Sequence, residues 1–138
     1  MDRITVKTEI NAPASKVWDY FTKPEYITQW NFAHESWHCP NAENDLKAGG
    51  KFNFRMEAKD ESFGFDFKGK YESVHPQKSI TYTLEDGRNV EIIFQENDGK
   101  TEVTQSFEPE EENPEEMQQN GWQAILDQFK NYTENNEN

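Results

Sequence analysis

A single stretch near the end of the chain, NPEEMQQNGWQAILDQFKNY over residues 113–132, sets the terms for everything before it. It reads as one long helix. Asn113 is placed to cap the first turn, Pro114 to occupy the first helical position and Glu116 to close a capping box. Trp122, Ile125, Leu126 and Phe129, continued by Tyr132 or Thr133, recur at i, i+3, i+4 and i+7 and make one apolar stripe. No other segment offers a helix of this length. The rest of the chain is short alternating runs, each with one apolar face, and one amphipathic helix laid on one curved sheet would cover them all.

Those runs follow in order. Ile4, Val6, Thr8 and Ile10 alternate with Arg3, Thr5, Lys7 and Glu9, the pattern of a strand with one wet face. Pro13 opens a short helix with Val17, Trp18 and Phe21 on its apolar side, and Lys23-Pro24 ends it. A second short helix over 24–30 turns Ile27 and Trp30 inward. Residues 31–50 are irregular and contain Phe32, Trp37, His34, His38, Cys39 and Pro40. They read as a long loop whose two aromatics form a flap over something apolar.

Beyond Gly49-Gly50 the alternation returns. Phe52, Phe54 and Met56 form one strand face, and Phe63, Phe65, Phe67 and Tyr71 the next. Ile80, Tyr82 and Leu84 follow, then Val90, Ile92 and Phe94, then Thr101, Val103, Gln105 and Phe107. Asp86-Gly87 and Asn97-Asp98-Gly99 are turn signals, the second a strong hairpin signal. The fold class is therefore α+β: a curved six-stranded antiparallel sheet wrapped around a long C-terminal helix, with two short helices between strands one and two.

Four pieces of sequence carry a resemblance: ITVKTEINAPASKVWDYFTKPEYITQW, AGGKFNFRM, GKYESVHPQKSITYTL and GWQAILDQFKNY. In this order they resemble the helix-grip fold of the START-like (SRPBCC) superfamily, and within it the branch of activator of heat-shock-chaperone ATPase homologues. The likeness covers nearly the whole chain, so residues 1–138 read as a single domain, with 134–138 as a frayed tail. One departure falls at Asn31-Phe32-Ala33, where many relatives continue from the tryptophan into a Trp-Gly-Pro-type turn. The resemblance implies a cavity between the long helix and the concave sheet. It implies no one activity, because the superfamily includes lipid carriers, hormone receptors, cyclases and chaperone activators.

Residues expected on the wall of that cavity are Trp30, Phe32, Trp37, Phe52, Phe54, Met56, Phe65, Phe67, Tyr82, Ile92, Phe94, Val103, Gln105, Phe107, Trp122, Ile125, Leu126 and Phe129. The alternative for the same side chains is ordinary close-packed core. Thr8, Tyr71, Tyr82 and Gln105 place polar atoms on otherwise apolar faces, either to orient a ligand's polar group or to bond one another, the backbone or buried water. Gly121 beside Trp122 suggests a close approach of helix to sheet, since glycine weakens a helix interior.

The sequence carries no phosphate-binding glycine loop, no nucleophile elbow and no pairing of nucleophile with base, so no catalytic residue is assigned. His34, His38 and Cys39 are the nearest thing to a soft-metal set but offer no fourth ligand. No metal and no cofactor is expected. The net charge of −13 is uneven: residues 101–138 hold ten acids and one base, against seventeen acids and thirteen bases before them. An acidic chain without a basic stripe argues against nucleic acid and anionic membranes as partners. The run Glu108, Glu110, Glu111, Glu112, Glu115 and Glu116 is either a solvated loop or a docking patch for a basic protein. The opening MDRITVKTEIN lacks an apolar secretory core, and one cysteine gives no disulfide framework, so a cytoplasmic location is the expectation.

These observations support a non-catalytic binding module for a small lipophilic molecule. The first alternative is a co-chaperone-like protein-interaction domain that stimulates a heat-shock-chaperone ATPase. The second is a cyclase- or hydrolase-like enzyme working in the same cavity.

Overall fold

The computed structural model describes residues 3–136. In chain order the elements are β1 (Ile4–Ile10), α1 (Ala14–Thr22), α2 (Pro24–Trp30), β2 (Trp37–Asn44), β3 (Lys51–Ala58), β4 (Gly64–His75), β5 (Ser79–Leu84), β6 (Asn89–Asn97), β7 (Lys100–Phe107) and α3 (Glu115–Asn135). The strands form one antiparallel sheet in the order β1-β7-β6-β5-β4-β3-β2. From β2 to β7 each strand pairs with its neighbour in sequence, and β1 closes the far side on β7.

The sheet has seven strands where six were expected, and the added one is β2. Its sequence, WHCPNAEN, is polar and interrupted by Pro40, so it carries no alternating signal. It is an edge strand whose register on β3 shifts between His38 and Asn41. Pro40 falls within that irregularity, one of the few places in a sheet where a residue without an N–H is tolerated. The long loop expected over residues 31–50 thus contains an eight-residue strand, Trp37–Asn44.

The turns obey local chemistry. Asp98 and Gly99 join β6 to β7 with φ of 53° and 79°, the two positive values that a tight primed hairpin turn requires. The register Ile4↔Phe107, Val6↔Gln105 and Thr8↔Val103 then puts the apolar residues of β1 and β7 on one face. Along β6 and β5, Ile92 lies opposite Gln105 and Ile80, and Val90 opposite Phe107 and Tyr82.

The three helices lie on that face. Helix α3 packs chiefly along β1 and also on α1 and α2. Its start differs from the expected capping box. Pro114 is the N-cap, with no side-chain capping bond, and the Asn113 side chain instead donates to Glu110 Oε1. Gln118 does the fastening. Its Oε1 accepts from Glu110 N at 2.9 Å, and its Nε2 donates to the Asn113 and Glu110 carbonyls at 2.8 and 3.1 Å. At the other end the helix continues through Asn135, and Glu134 accepts from Asn11 N at 2.8 Å. Glu137 and Asn138 of the expected tail lie outside the described residues. Among the described residues no helix is long and apolar enough to cross a membrane.

The core beneath the helices divides into two regions. Under the C-terminal half of α3, aromatic rings fill the space. Phe129 meets Trp30 and Phe21 edge-on at 4.7 and 5.1 Å, Phe21 meets Phe94 at 5.5 Å, and Trp18 meets Phe94 at 5.3 Å. The Trp30 indole N–H is satisfied inside this cluster by the Tyr20 carbonyl at 2.9 Å. Under the N-terminal half the packing is looser.

Candidate functional site

The looser region is a pocket of about 290 Å³. Its existence follows from geometry. A straight helix that hugs β1 leaves the far part of a curved sheet uncovered, and Trp122 and Ile125 on α3 reach over that part while remaining half-exposed. The volume lies at the lower end of the roughly 300–1,000 Å³ typical of ligand sites.

Of the residues expected on a cavity wall, Trp30, Phe52, Phe54, Met56, Phe65, Phe67, Tyr82, Ile92, Gln105, Trp122 and Ile125 line the pocket. The others lie elsewhere, each for a physical reason. Phe94, Leu126 and Phe129 belong to the filled region under α1, α2 and the second half of α3. Val103 is fully buried in β7 beside them. Phe107 is covered by Trp122, whose ring stacks on it at 3.9 Å and 13°. Phe32 follows α2 and packs against the core from outside the wall. Trp37 forms no flap. As the first residue of edge strand β2 it sits with Phe63 and Phe65, 6.0 Å from each, in an aromatic group at the sheet margin where Phe63 is 62% exposed.

Sequence reasoning missed Phe21, Thr22, Asn31, Ile80, Arg88, Glu110 and Gln118, all of which contribute to the wall or mouth. Strand parity was an available signal for two of them. Ile80 precedes Tyr82 by two residues, and Arg88 precedes Val90 by two, so both share the inward face. Gln118 lies one turn before Trp122 on the helix stripe.

The polar groups of the pocket differ in how they are satisfied. The Tyr71 hydroxyl donates to Asn44 Oδ1 at 2.5 Å, and the Asn44 amide donates to the Thr22 carbonyl at 2.6 Å, which ties β4, β2 and α1 together at one end. The Arg88 Nε–H donates to Asp86 Oδ2 at 2.7 Å at the mouth. Two groups have no such partner. Among the described residues nothing hydrogen-bonds the Gln105 amide or the Tyr82 hydroxyl, although the residues are only 9% and 6% exposed. Neither is sealed into the core, and both open on the pocket. Burial raises the Tyr82 pKa, helped by Tyr71 nearby and opposed by Arg88, so its hydroxyl stays protonated.

The remaining candidates from the sequence do not converge. His34 and His38 lie off the pocket wall. His34 bonds Ser36, and His38 faces Glu57 at 3.9 Å. Cys39, the next residue along the strand, turns to the opposite face and is buried with its thiol toward the Asn41 carbonyl. Among the described residues no group of three or more His, Cys, Asp or Glu side chains is placed to hold a metal. The helix end of the glutamate run, Glu111, Glu112, Glu115 and Glu116, is exposed, and Glu108 accepts from Asn89 N at 2.6 Å.

Comparison with known proteins follows the same lines. The family model described as "Activator of Hsp90 ATPase homolog 1-like protein" matches residues 11–134. The solution structure of Chr148 from Cytophaga hutchinsonii is 50% identical, covering 96% of this chain and 92% of that one, with a TM-score of 0.84. The AHSA1-like protein from Aeromonas hydrophila is 35% identical over 97% of this chain and 98% of its own, with a TM-score of 0.86. Protein CV1439 from Chromobacterium violaceum, at 22% identity, shares the fold with a TM-score of 0.87 over 99% of this chain and 100% of that one. No curated protein matches the sequence significantly.

Proposed function

This chain belongs to the Activator of Hsp90 ATPase homolog 1-like family, and on that premise we propose that it is a binding module for a small lipophilic molecule, with no reaction of its own. The observation that carries the reading is the apolar pocket under the N-terminal half of α3, walled by Phe52, Phe54, Met56, Phe67, Tyr82 and Trp122. Well-packed interiors leave few voids larger than a water molecule. A pocket of about 290 Å³ with aromatic walls and an open mouth holds apolar surface against water, which a lipophilic ligand would cover. Its size suits a single-chain or one- or two-ring molecule rather than a diacyl lipid.

The test is an NMR titration of the protein with medium-chain alcohols, medium-chain fatty acids and two-ring aromatic compounds. Saturable shifts at Phe52, Tyr82, Gln105 and Trp122 are the expected result. Shifts confined to the convex face of the sheet, or none with any probe, would overturn the reading.

The family description favours a second reading, in which the exposed glutamates at the start of α3 dock a basic face of a chaperone and stimulate its ATPase. A chaperone ATPase rate unchanged at saturating protein would dispose of it.

A further inference from the structure

The Gln105 side chain has no reason to be polar within the protein. Its cross-strand partners on that face are Val6 and Ile92, and its neighbours two residues along β7 are Val103 and Phe107. All four are buried and none offers a side-chain hydrogen-bonding group. Among the described residues the amide is bonded to nothing. With no partner in the protein, the amide on the wall of this apolar pocket can bond only what enters the pocket, water or ligand. An amide presents one acceptor and two donors. A hydroxyl, which both donates and accepts, is the smallest group that can engage both ends of it.

The charges around the pocket bear on what else could enter. Arg88 is the one cation on the wall among the described residues, and its Nε–H is already held by Asp86. Glu110 lies at the same mouth. Arg88 shares the pocket wall with Gln105 and Tyr82 and acts on the Tyr82 hydroxyl, but its charge is balanced by Asp86. A carboxylate at Gln105 would be desolvated against a guanidinium already paired with Asp86, with Glu110 on the same wall opposing it. A cation at Gln105 would carry the same desolvation cost, and the one carboxylate on the wall among the described residues is Glu110.

We propose that Gln105 is the specificity-determining residue of the pocket and that the ligand is a small, uncharged lipophile whose hydroxyl group bonds the Gln105 amide. This rests on the reading of the pocket as a ligand site and narrows it to a chemical class.

The test uses one chain length with three head groups, octan-1-ol, octyl methyl ether and octanoate, titrated by NMR into the wild-type protein and into Gln105→Met and Gln105→Leu. Urea unfolding of each protein without ligand runs alongside. Octan-1-ol should bind wild type about tenfold more tightly than the ether or octanoate, and the preference should vanish in both variants. Both variants should unfold at a urea concentration equal to or above that of wild type, because the amide they lose has no protein partner. Equal binding of the three probes to wild type would overturn the inference and leave the pocket as a site for any lipophile. Tightest binding by octanoate would overturn it in favour of the Arg88 end. Lower urea midpoints for both variants would assign Gln105 a structural role and overturn it as well. Failure of all three probes to bind would remove the binding reading itself along with the inference.

Discussion

Trp122 lies flat on Phe107, ring centroids 3.9 Å apart and planes 13° apart, at the point where α3 leaves the filled part of the core. On its other side it meets Phe67 edge-on at 6.1 Å. One indole thus spans from β7 to β4 above the pocket. It is half-exposed, whereas Phe107 beneath it is fully buried. The helix residues one and two turns further on, Leu126 and Phe129, are buried in the aromatic cluster. The same stripe therefore has two jobs. Its second half is core and its first half is roof.

That division gives Trp122→Ala a distinct outcome. Removing the indole uncovers Phe107 and opens the pocket, but leaves the cluster around Phe129 intact. A fully buried aromatic costs about 3–5 kcal/mol on truncation, and a half-exposed one less, so about 2–4 kcal/mol is expected here. Urea unfolding should show a folded protein with a lowered midpoint, and any pocket ligand should bind more weakly. A variant as stable as wild type would mean that the stacking on Phe107 is not maintained in solution.

Gly121 behaves differently from its sequence reading. Close approach to the sheet was the expected reason for glycine beside Trp122, but a Cβ built at Gly121 meets nothing within 4 Å. The position is ordinary helix interior over open space. Gly121→Ala should therefore stabilise the protein by about 0.5–1 kcal/mol, through the lower backbone entropy of alanine in the unfolded chain. A thermal melt should move up by a few degrees. A lower melting temperature would show that the helix closes on the sheet at this point.

The contrast between Gly121 and Trp122 shows where sequence information ran out. Alternation of Phe52/Phe54/Met56, Ile80/Tyr82/Leu84 and Val103/Gln105/Phe107 was legible because a period of two with one wet face is the mark of a half-buried strand and of little else. It located every strand except β2, whose polar edge sequence and Pro40 carry no period. Parity also identified which side chains point inward. It could not tell pocket from core, because Gln105 and Val103 have the same parity and differ only in what lies above them. That depends on the line of α3 across the sheet, a tertiary property. Arg88 was within reach by counting back from Val90, and was hidden by its place in a turn.

Cys39 gives a pH prediction with a definite sign. Burial pushes its thiol up to about 11 from an ordinary 9.0, with the Asn41 backbone and the Asn31 side chain pulling weakly the other way. Below pH 9 the thiol is neutral in both the folded and unfolded chain, and its full contribution is present. As pH rises from about 9 toward 11 the unfolded chain ionises first and binds fewer protons than the folded one, so stability falls. Cys39→Ala lacks this thiol. Between pH 8 and pH 10.5 its urea midpoint should drop less than that of wild type. Parallel drops would mean that the thiol is exposed to solvent.

Gln118 is the hinge between the glutamate-rich loop and the roof of the pocket. Its amide satisfies Glu110 N and the carbonyls of Glu110 and Asn113, tying the loop before α3 to the helix, whose first turn has no capping side chain. The residue is only 8% exposed and also stands on the pocket wall. Gln118→Ala leaves all three backbone groups without a protein partner in a region that water reaches only partly, which costs about 1–3 kcal/mol. The loss should be local as well as global. The backbone amides of Glu110 and Gln118, bonded respectively to the Gln118 side chain and the Pro114 carbonyl, should exchange with solvent faster than in wild type, while those around Phe129 keep their protection. Gln118→Glu separates the hydrogen bonds from the packing. It keeps the shape and can still accept from Glu110 N, but it loses both donors and adds a charge beside Glu110. It should therefore be at least as destabilised as the alanine variant at pH 7 and recover part of the difference as pH falls and the carboxylate becomes protonated. Equal protection of the Glu110 and Gln118 amides in wild type and Gln118→Ala would show that the loop is held by something other than this side chain.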